Sequence, residues 1–205
     1  MRRFRSPVLL LSTLAMALSA CSITQQATPE TTSTTAVGSP ASDLVLADNG
    51  LGPFQFGDSS AAVIEGVTAT VGGWDADSSD NDAIVPPACD PATVRAVSWG
   101  SLVLVFTTRD GTEIFTGWSY GFDPLTGDSF DNRSMGLTTP EGVGLDTGRE
   151  DLIEVYGSSV SIIDDTVLDT ARFTVSRTGQ IQLEGKLDSA GAGGMVDFLE
   201  STPGC

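Results

Sequence analysis

The sequence predicts an α+β fold made of two tandem repeats, each a short helical segment followed by an antiparallel sheet. Three observations carry this expectation. Gly50-Leu51-Gly52-Pro53-Phe54-Gln55-Phe56-Gly57-Asp58-Ser59 and Pro140-Glu141-Gly142-Val143-Gly144-Leu145-Asp146-Thr147 share one shape, a short glycine-bearing apolar segment ending on a small cap residue. Each is followed by a helical stretch and then by two apolar runs around a turn glycine, which is a hairpin signal. Gly111 and Gly117 are six apart in the first hairpin, as are Gly179 and Gly185 in the second. The repeats so defined are 43–139 and 140–205.

Ahead of them, Met1-Arg2-Arg3-Phe4-Arg5 is basic, 8–18 is apolar, and Ser19-Ala20-Cys21 is small. That order predicts a secretory signal peptide over 1–20. The apolar run is about eleven residues, too short to span a bilayer as a helix. Leu18-Ser19-Ala20-Cys21 resembles a bacterial lipobox, which implies acylation of the Cys21 thiol and a lipid anchor in the cell membrane. Residues 21–42 are rich in Thr, Ser and Pro without apolar periodicity and read as a disordered tether. Its r.m.s. reach is roughly 25–30 Å.

Ser59 offers an N-cap hydroxyl to a helix over 60–69, which Ala61, Ala62, Val63 and Ile64 support and Gly66 weakens. Thr147 and Glu150 predict a capping box for a second helix, with Leu152, Val155 and Tyr156 as its apolar stripe and Gly157 as its end. Asp58-Ser59 then matches Asp146-Thr147. The first hairpin joins 102–106 to 113–118 and the second joins 171–175 to 180–185. The first copy carries 20 extra residues, most of them in 73–91.

Composition excludes several chemistries. The chain has no histidine, which removes His-based triads, His metal ligands and a His pH switch. Net charge is −17, and −20 once the three arginines of the signal are gone, so nucleic acid and anionic lipid surfaces are not expected partners. Lys186 is the one lysine. With Cys21 acylated, Cys89 and Cys205 form an even pair in an oxidising compartment, and a disulfide between them is expected. Its long loop would contribute about 4–5 kcal/mol in the chain-entropy account.

The doubled pattern of apolar segment, glycine, cap, helix and antiparallel sheet over 50–205 resembles the tandem-repeat fold of the β-lactamase inhibitor protein family. A single copy resembles the small outer-membrane assembly lipoproteins of the BamE type. The Arg/Asp-rich, Lys-poor chain is also similar to secreted lipoproteins of actinobacteria. The resemblance implies a protein-binding scaffold, and no contact residue carries over from it.

Candidate sites follow from local chemistry. Gly117-Trp118-Ser119-Tyr120-Gly121 fits the G-x-S-x-G pattern, but it reads as an alternating strand and the chain has no histidine base. Trp74-Asp75-Ala76-Asp77-Ser78-Ser79-Asp80 begins an acidic loop, 73–88. Asp75, Asp77 and Ser79 are spaced for calcium, but Asp80 stands where the turn glycine is needed and Pro86 where the bidentate Glu is needed. A solvated acidic loop explains the stretch without a metal. Asp164-Asp165 and Asp169 could supply paired acids. Trp74, Asp75, Asp77, Asp80, Trp118 and Tyr120 are the candidate partner or ligand contacts. Core filling is the competing account of Trp99 and Trp118, whereas Trp74 is expected to be exposed. The expectation is a non-enzymatic cell-envelope lipoprotein that binds an envelope or extracellular protein through its sheet face or the acidic loop, with no cofactor. The alternative is an extracytoplasmic binder of a small ligand, sugar or calcium at 73–88.

Overall fold

The computed structural model describes residues 43–79, 93–121 and 135–201, which fall in one compact unit. Cys21, Cys89, Cys205, Asp80, the signal segment, the tether 21–42 and the stretch 80–88 of the acidic loop lie outside the described residues. The described chain mixes helix with antiparallel sheet. Strands β1 (Leu46–Ala47), β2 (Gly50–Leu51) and β3 (Phe54–Gln55) make a small sheet ahead of helix α1 (Ser60–Val71). A meander of β4 (Ala76–Asp77), β5 (Val94–Trp99), β6 (Leu102–Arg109) and β7 (Thr112–Gly121) follows. Helix α2 (Arg149–Tyr156) and a 3-10 turn (Gly157–Ser159) precede a second meander. Its strands are β8 (Val160–Asp165), β9 (Thr170–Arg177), β10 (Gln180–Leu187) and β11 (Val196–Ser201). All eight strands from β4 to β11 form one sheet in the order β4-β5-β6-β7-β11-β10-β9-β8. The last strands of the two meanders therefore meet at its centre.

The helices start where the chain is pinned to those central strands. Phe115 N–H donates to the Asp58 carbonyl, and Gly57 N–H donates back to Phe115. Val196 N–H donates to the Thr147 carbonyl, and Asp146 N–H donates back to Val196. The Asp58 and Thr147 side chains each accept from the N–H three residues earlier, Gln55 at 2.8 Å and Gly144 at 3.0 Å. This pinning corrects the expected start of α2. Thr147 is held as a strand-like residue, so Gly148 is the N-cap, without a side-chain cap, and no capping box with Glu150 forms. Gly57-Asp58-Ser59 thus corresponds to Asp146-Thr147-Gly148, one step off the match drawn from the sequence. Ser59 does cap α1, accepting from Ala62 N–H at 3.4 Å, and that helix runs two residues past its expected end. Gly66 has a packing reason: a Cβ there would lie 2.2 Å from the Phe54 ring, so only glycine lets that ring lie on the helix.

Both expected hairpins form. Asp110-Gly111 and Thr178-Gly179 take positive φ at both turn positions, the type I′ arrangement that suits strand twist. Their places in the sheet differ from the expectation. Gly111 turns the third strand of its meander into the fourth, whereas Gly179 turns the second into the third. Equal glycine spacing had matched hairpins that are out of step.

One face of the sheet carries the main core. Val63, Val67 and Leu152 from the helices pack with Phe106, Phe115, Trp118, Tyr120, Phe173 and Leu199. Trp118 and Tyr120 are fully buried there, which removes both from the candidate contacts. Alternation along β7 sends them to the helix side, and Ser119 between them to the other side. Gly185 marks how tightly this face is packed. A Cβ on it would sit 2.4 Å from Phe173 Cζ and 2.5 Å from the Phe198 carbonyl oxygen. Gly185→Ala is expected to destabilise the fold by about 1–3 kcal/mol through overpacking. Gly193→Ala, where a Cβ meets nothing within 4 Å, should be nearly silent. Denaturant midpoints of the two variants check this, and equal midpoints would refute it.

Candidate functional site

The other face of the sheet has no described helix packed on it. Strand register builds two rows of side chains across it. One row runs Ser161, Thr174, Glu184, Glu200, Ser119 and Val103. The next runs Ile163, Arg172, Lys186 and Phe198. Each residue lies two positions along its strand from its counterpart, so both rows share a face.

The two halves of this face differ. On the β4–β7 half, Val94, Ala96 and Val105 form a small buried cluster, and Ser98 is fully buried with no partner for its hydroxyl. The β8–β11 half is open and holds a hollow of about 160 Å³ lined in part by Ser161, Ile163, Arg172, Lys186, Phe198 and Glu200. Lys186 Nζ lies 5.2 Å from the centroid of the Phe198 ring and covers it, leaving the ring 4% exposed. Ile163 is 72% exposed. An arginine, a lysine over an aromatic ring, two glutamates and an isoleucine on a rigid sheet make a surface that can engage charge and apolar area together. Sequence reasoning missed these residues. The signal was present: Arg172 and Thr174 alternate with buried Ala171, Phe173 and Val175, and Glu184 and Lys186 alternate with Leu183 and Leu187.

The acidic stretch is used structurally. Asp77 is buried and forked by Arg95, with Oδ2 2.6 Å from Nη2 and Oδ1 3.0 Å from Nε. Asp77 Oδ1 also accepts from the Ser79 N–H and hydroxyl. Asp75 Oδ2 accepts from Gly100 N–H at 2.6 Å. Asp75 and Asp77 are thereby turned onto β5 and the turn after it, with Ser79 on Asp77, and no cluster able to hold a metal ion occurs among the described residues. The calcium spacing was real, but an arginine eighteen residues downstream took the carboxylate. Trp74, next to them, is half exposed. Arg95 also reaches Glu113, so it ties β4, β5 and β7 together. Its hydrogen bond holds Asp77 near pKa 2 against the cost of burial, and Asp77 raises Arg95 in turn.

The paired acids separate as well. Asp164 accepts from Arg149 and from Gly191 N–H, which holds its carboxyl below the usual range. Asp165 accepts from the N–H groups of Val167 and Leu168 and closes its own turn. The Gly117–Gly121 stretch lies within β7 and has no strand-turn-helix bend. A second hollow, of about 40 Å³, is bordered by Asp48, Thr139, Glu141, Tyr156, Arg177 and Leu183. Burial chiefly, with the nearby Glu141 carboxylate, pushes the Tyr156 hydroxyl up to about 12. Burial is the largest influence on Glu141 and raises it, but the hydrogen bond and charge of Arg177, with a backbone and a Thr139 hydrogen bond, together outweigh it and the net shift is downward. That space suits a water molecule rather than a sugar. No family model, no curated protein and no solved structure matches the chain.

The Asp77–Arg95 fork has a pH signature. Its folded pKa near 2 lies below the ordinary 3.8, so the stability it contributes is present above about pH 4 and is lost as pH falls toward 2. Asp77→Asn is expected to cost about 1–3 kcal/mol at pH 7. The gap between the parent and this variant should close between pH 4 and pH 2 in chemical unfolding, and a gap unchanged at pH 2 would refute the assignment.

Proposed function

We propose that the chain is a non-enzymatic, lipid-anchored cell-envelope protein whose open β8–β11 face binds another protein. The observation that carries this is the helix-free half-sheet, on which Arg172, Lys186 over Phe198, Glu184, Glu200 and Ile163 share one side. Rigid strands hold these groups without further ordering on contact, which favours binding. Anchoring through Cys21 rests on the basic, apolar and small-residue order of 1–21. The Cys89–Cys205 bridge belongs to the same extracytoplasmic reading.

The tandem-repeat reading is also ours. It is supported by the hydrogen bonds that recur at Gly57-Asp58 and Asp146-Thr147 toward Phe115 and Val196. It is further supported by a helix preceding each four-strand meander and by the meeting of the two final strands. A shared sheet with helices on one side leaves the other side for a partner, as the resemblance to the inhibitor family implies. That resemblance is a fold-level analogy and says nothing of which partner is bound.

The test uses the full chain in detergent, immobilised against solubilised envelope of the source cell. One protein is expected at near-stoichiometric yield, falling at least tenfold for the Arg172→Glu, Lys186→Glu double variant. Equal recovery by that variant would move the contact off this face. A blank with the parent chain would remove the protein-binding reading.

A further inference from the structure

We propose that β8 pairs with β8 of a second copy of this chain, antiparallel, about a two-fold axis at Ile162. The two ends of the large sheet are unlike. The β4 end is two residues long and is tied by the Arg95 fork. The β8 end is six residues long, Val160-Ser161-Ile162-Ile163-Asp164-Asp165, and among the described residues its strand pairing is with β9 alone. That pairing is unbroken, whereas β6·β7, β9·β10 and β10·β11 each contain a register shift. β8 contains no proline, lysine or bulge, the usual means of blocking an edge.

The outward backbone groups follow from the neighbouring hairpin. The two-residue Thr178-Gly179 turn makes Arg177 and Gln180 a hydrogen-bonded pair. Along β9 the odd-numbered residues then bond toward β10, and Ser176, Thr174, Arg172 and Thr170 bond toward β8. The extra residue of the β9·β10 shift is on β10, so the phase of β9 holds. Thr174, Arg172 and Thr170 face Ser161, Ile163 and Asp165. The N–H and C=O groups of Ile162 and Asp164 are therefore left on the outer edge, with the C=O of Val160, whose N–H closes the 3-10 turn on the Gly157 carbonyl.

An axis at Ile162 satisfies all of them except the Asp164 C=O. Ile162 meets its own copy, and Val160 meets Asp164 of the second copy. Ser161 then faces Ile163 of the second copy, and the two Ile163 side chains stand diagonally across the axis on the open face. No carboxylate opposes another. Edge acids would normally repel a second copy, but here both are engaged within their own chain. Asp164 is bound by Arg149 and Gly191, and Asp165 by the turn N–H groups. The axis stands perpendicular to the sheet, so the open faces of both copies lie on one side. The opposing force is the net charge of −17, which salt screens.

The experiment is sedimentation of the full chain in density-matched detergent over a range of concentration, with amide exchange on the same samples. A dimer that tightens with added salt is expected. Ile163→Lys should weaken it at least tenfold, while Val167→Lys, in the turn beyond the paired strand, should change it less than twofold. In the parent chain, the Ile162 and Asp164 amides should slow as concentration rises, while Ser161, Ile163 and Asp165 stay protected throughout. This readout does not depend on how any variant folds. A chain monomeric throughout, or a dimer in which those two amides exchange as fast as in the monomer, would overturn the proposal. Slowing that appears only when envelope extract is added would also overturn it, in favour of a foreign strand at this edge.

Discussion

Four residues of β11 paired with four of β7 hold the two meanders in one sheet. Phe198, Leu199, Glu200 and Ser201 face Gly121, Tyr120, Ser119 and Trp118. The rest of the fold depends on this seam because it decides which side chains from both halves share a face. A slip of one residue would carry Trp118 and Tyr120 to the open side if β7 moved, or Phe198 and Glu200 into the core if β11 moved. The large side chains resist that slip. Trp118 Nε1–H donates to the Ala47 carbonyl at 2.8 Å, and Tyr120 Oη accepts from Met135 N–H at 2.7 Å. Gly121 closes the seam, with φ near 107° and the Asp197 carbonyl oxygen 2.1 Å from where a Cβ would stand. The Ser201 hydroxyl then reaches the Asp48 and Gln182 carbonyls, joining the small first sheet to the far meander.

Local features of this chain were legible in its sequence to the extent that their causes are local. The Ser59 cap, the closing Gly157 and both glycine hairpins depend on a few consecutive residues, and all of them form. The start of α2 was misread because Thr147 is held by Val196, almost fifty residues away. Asp77 and Asp75 escaped local reading in the same way, since they answer to Arg95 and Gly100 rather than to one another. Hairpin matching failed for a different reason. Glycine spacing records a turn type, and many turns in one chain share a type, so equal spacing does not report equal position in a sheet. The open face was hidden because its rows run across strands, and the alternation that aims each residue says nothing about which strands are neighbours.

Placement of the few cations is informative in a chain this acidic. Arg95, Arg149 and Arg177 each bind carboxylates at a junction: β4 to β5 and β7, the start of α2 to β8, and the β9·β10 turn to the segment carrying Glu141. An exposed ion pair contributes little free energy, and Arg177 is half exposed, so its contact matters more for register than for stability. Arg172 and Lys186 are placed differently. They stand side by side on the open half-sheet, where the surrounding negative charge makes two adjacent cations a distinctive local field.

The contrast between the two halves of the open face bears on what the scaffold is for. The same backbone bonds start both helices and the same kind of meander follows each, so the frame does not by itself dictate different surfaces. Yet the β4–β7 half is lined by small residues (Ala76, Ala96, Ser98, Val103, Val105), of which Ala96, Ser98 and Val105 are almost wholly buried. The β8–β11 half carries long charged side chains around a hollow. Small residues in one half allow close cover and long ones in the other leave a relief for something larger to meet. Core packing needs only the helix-side residues of these strands, so the side chains on the opposite side were free to diverge. Their divergence into one buried half and one open, charged half is the feature that folding alone does not require.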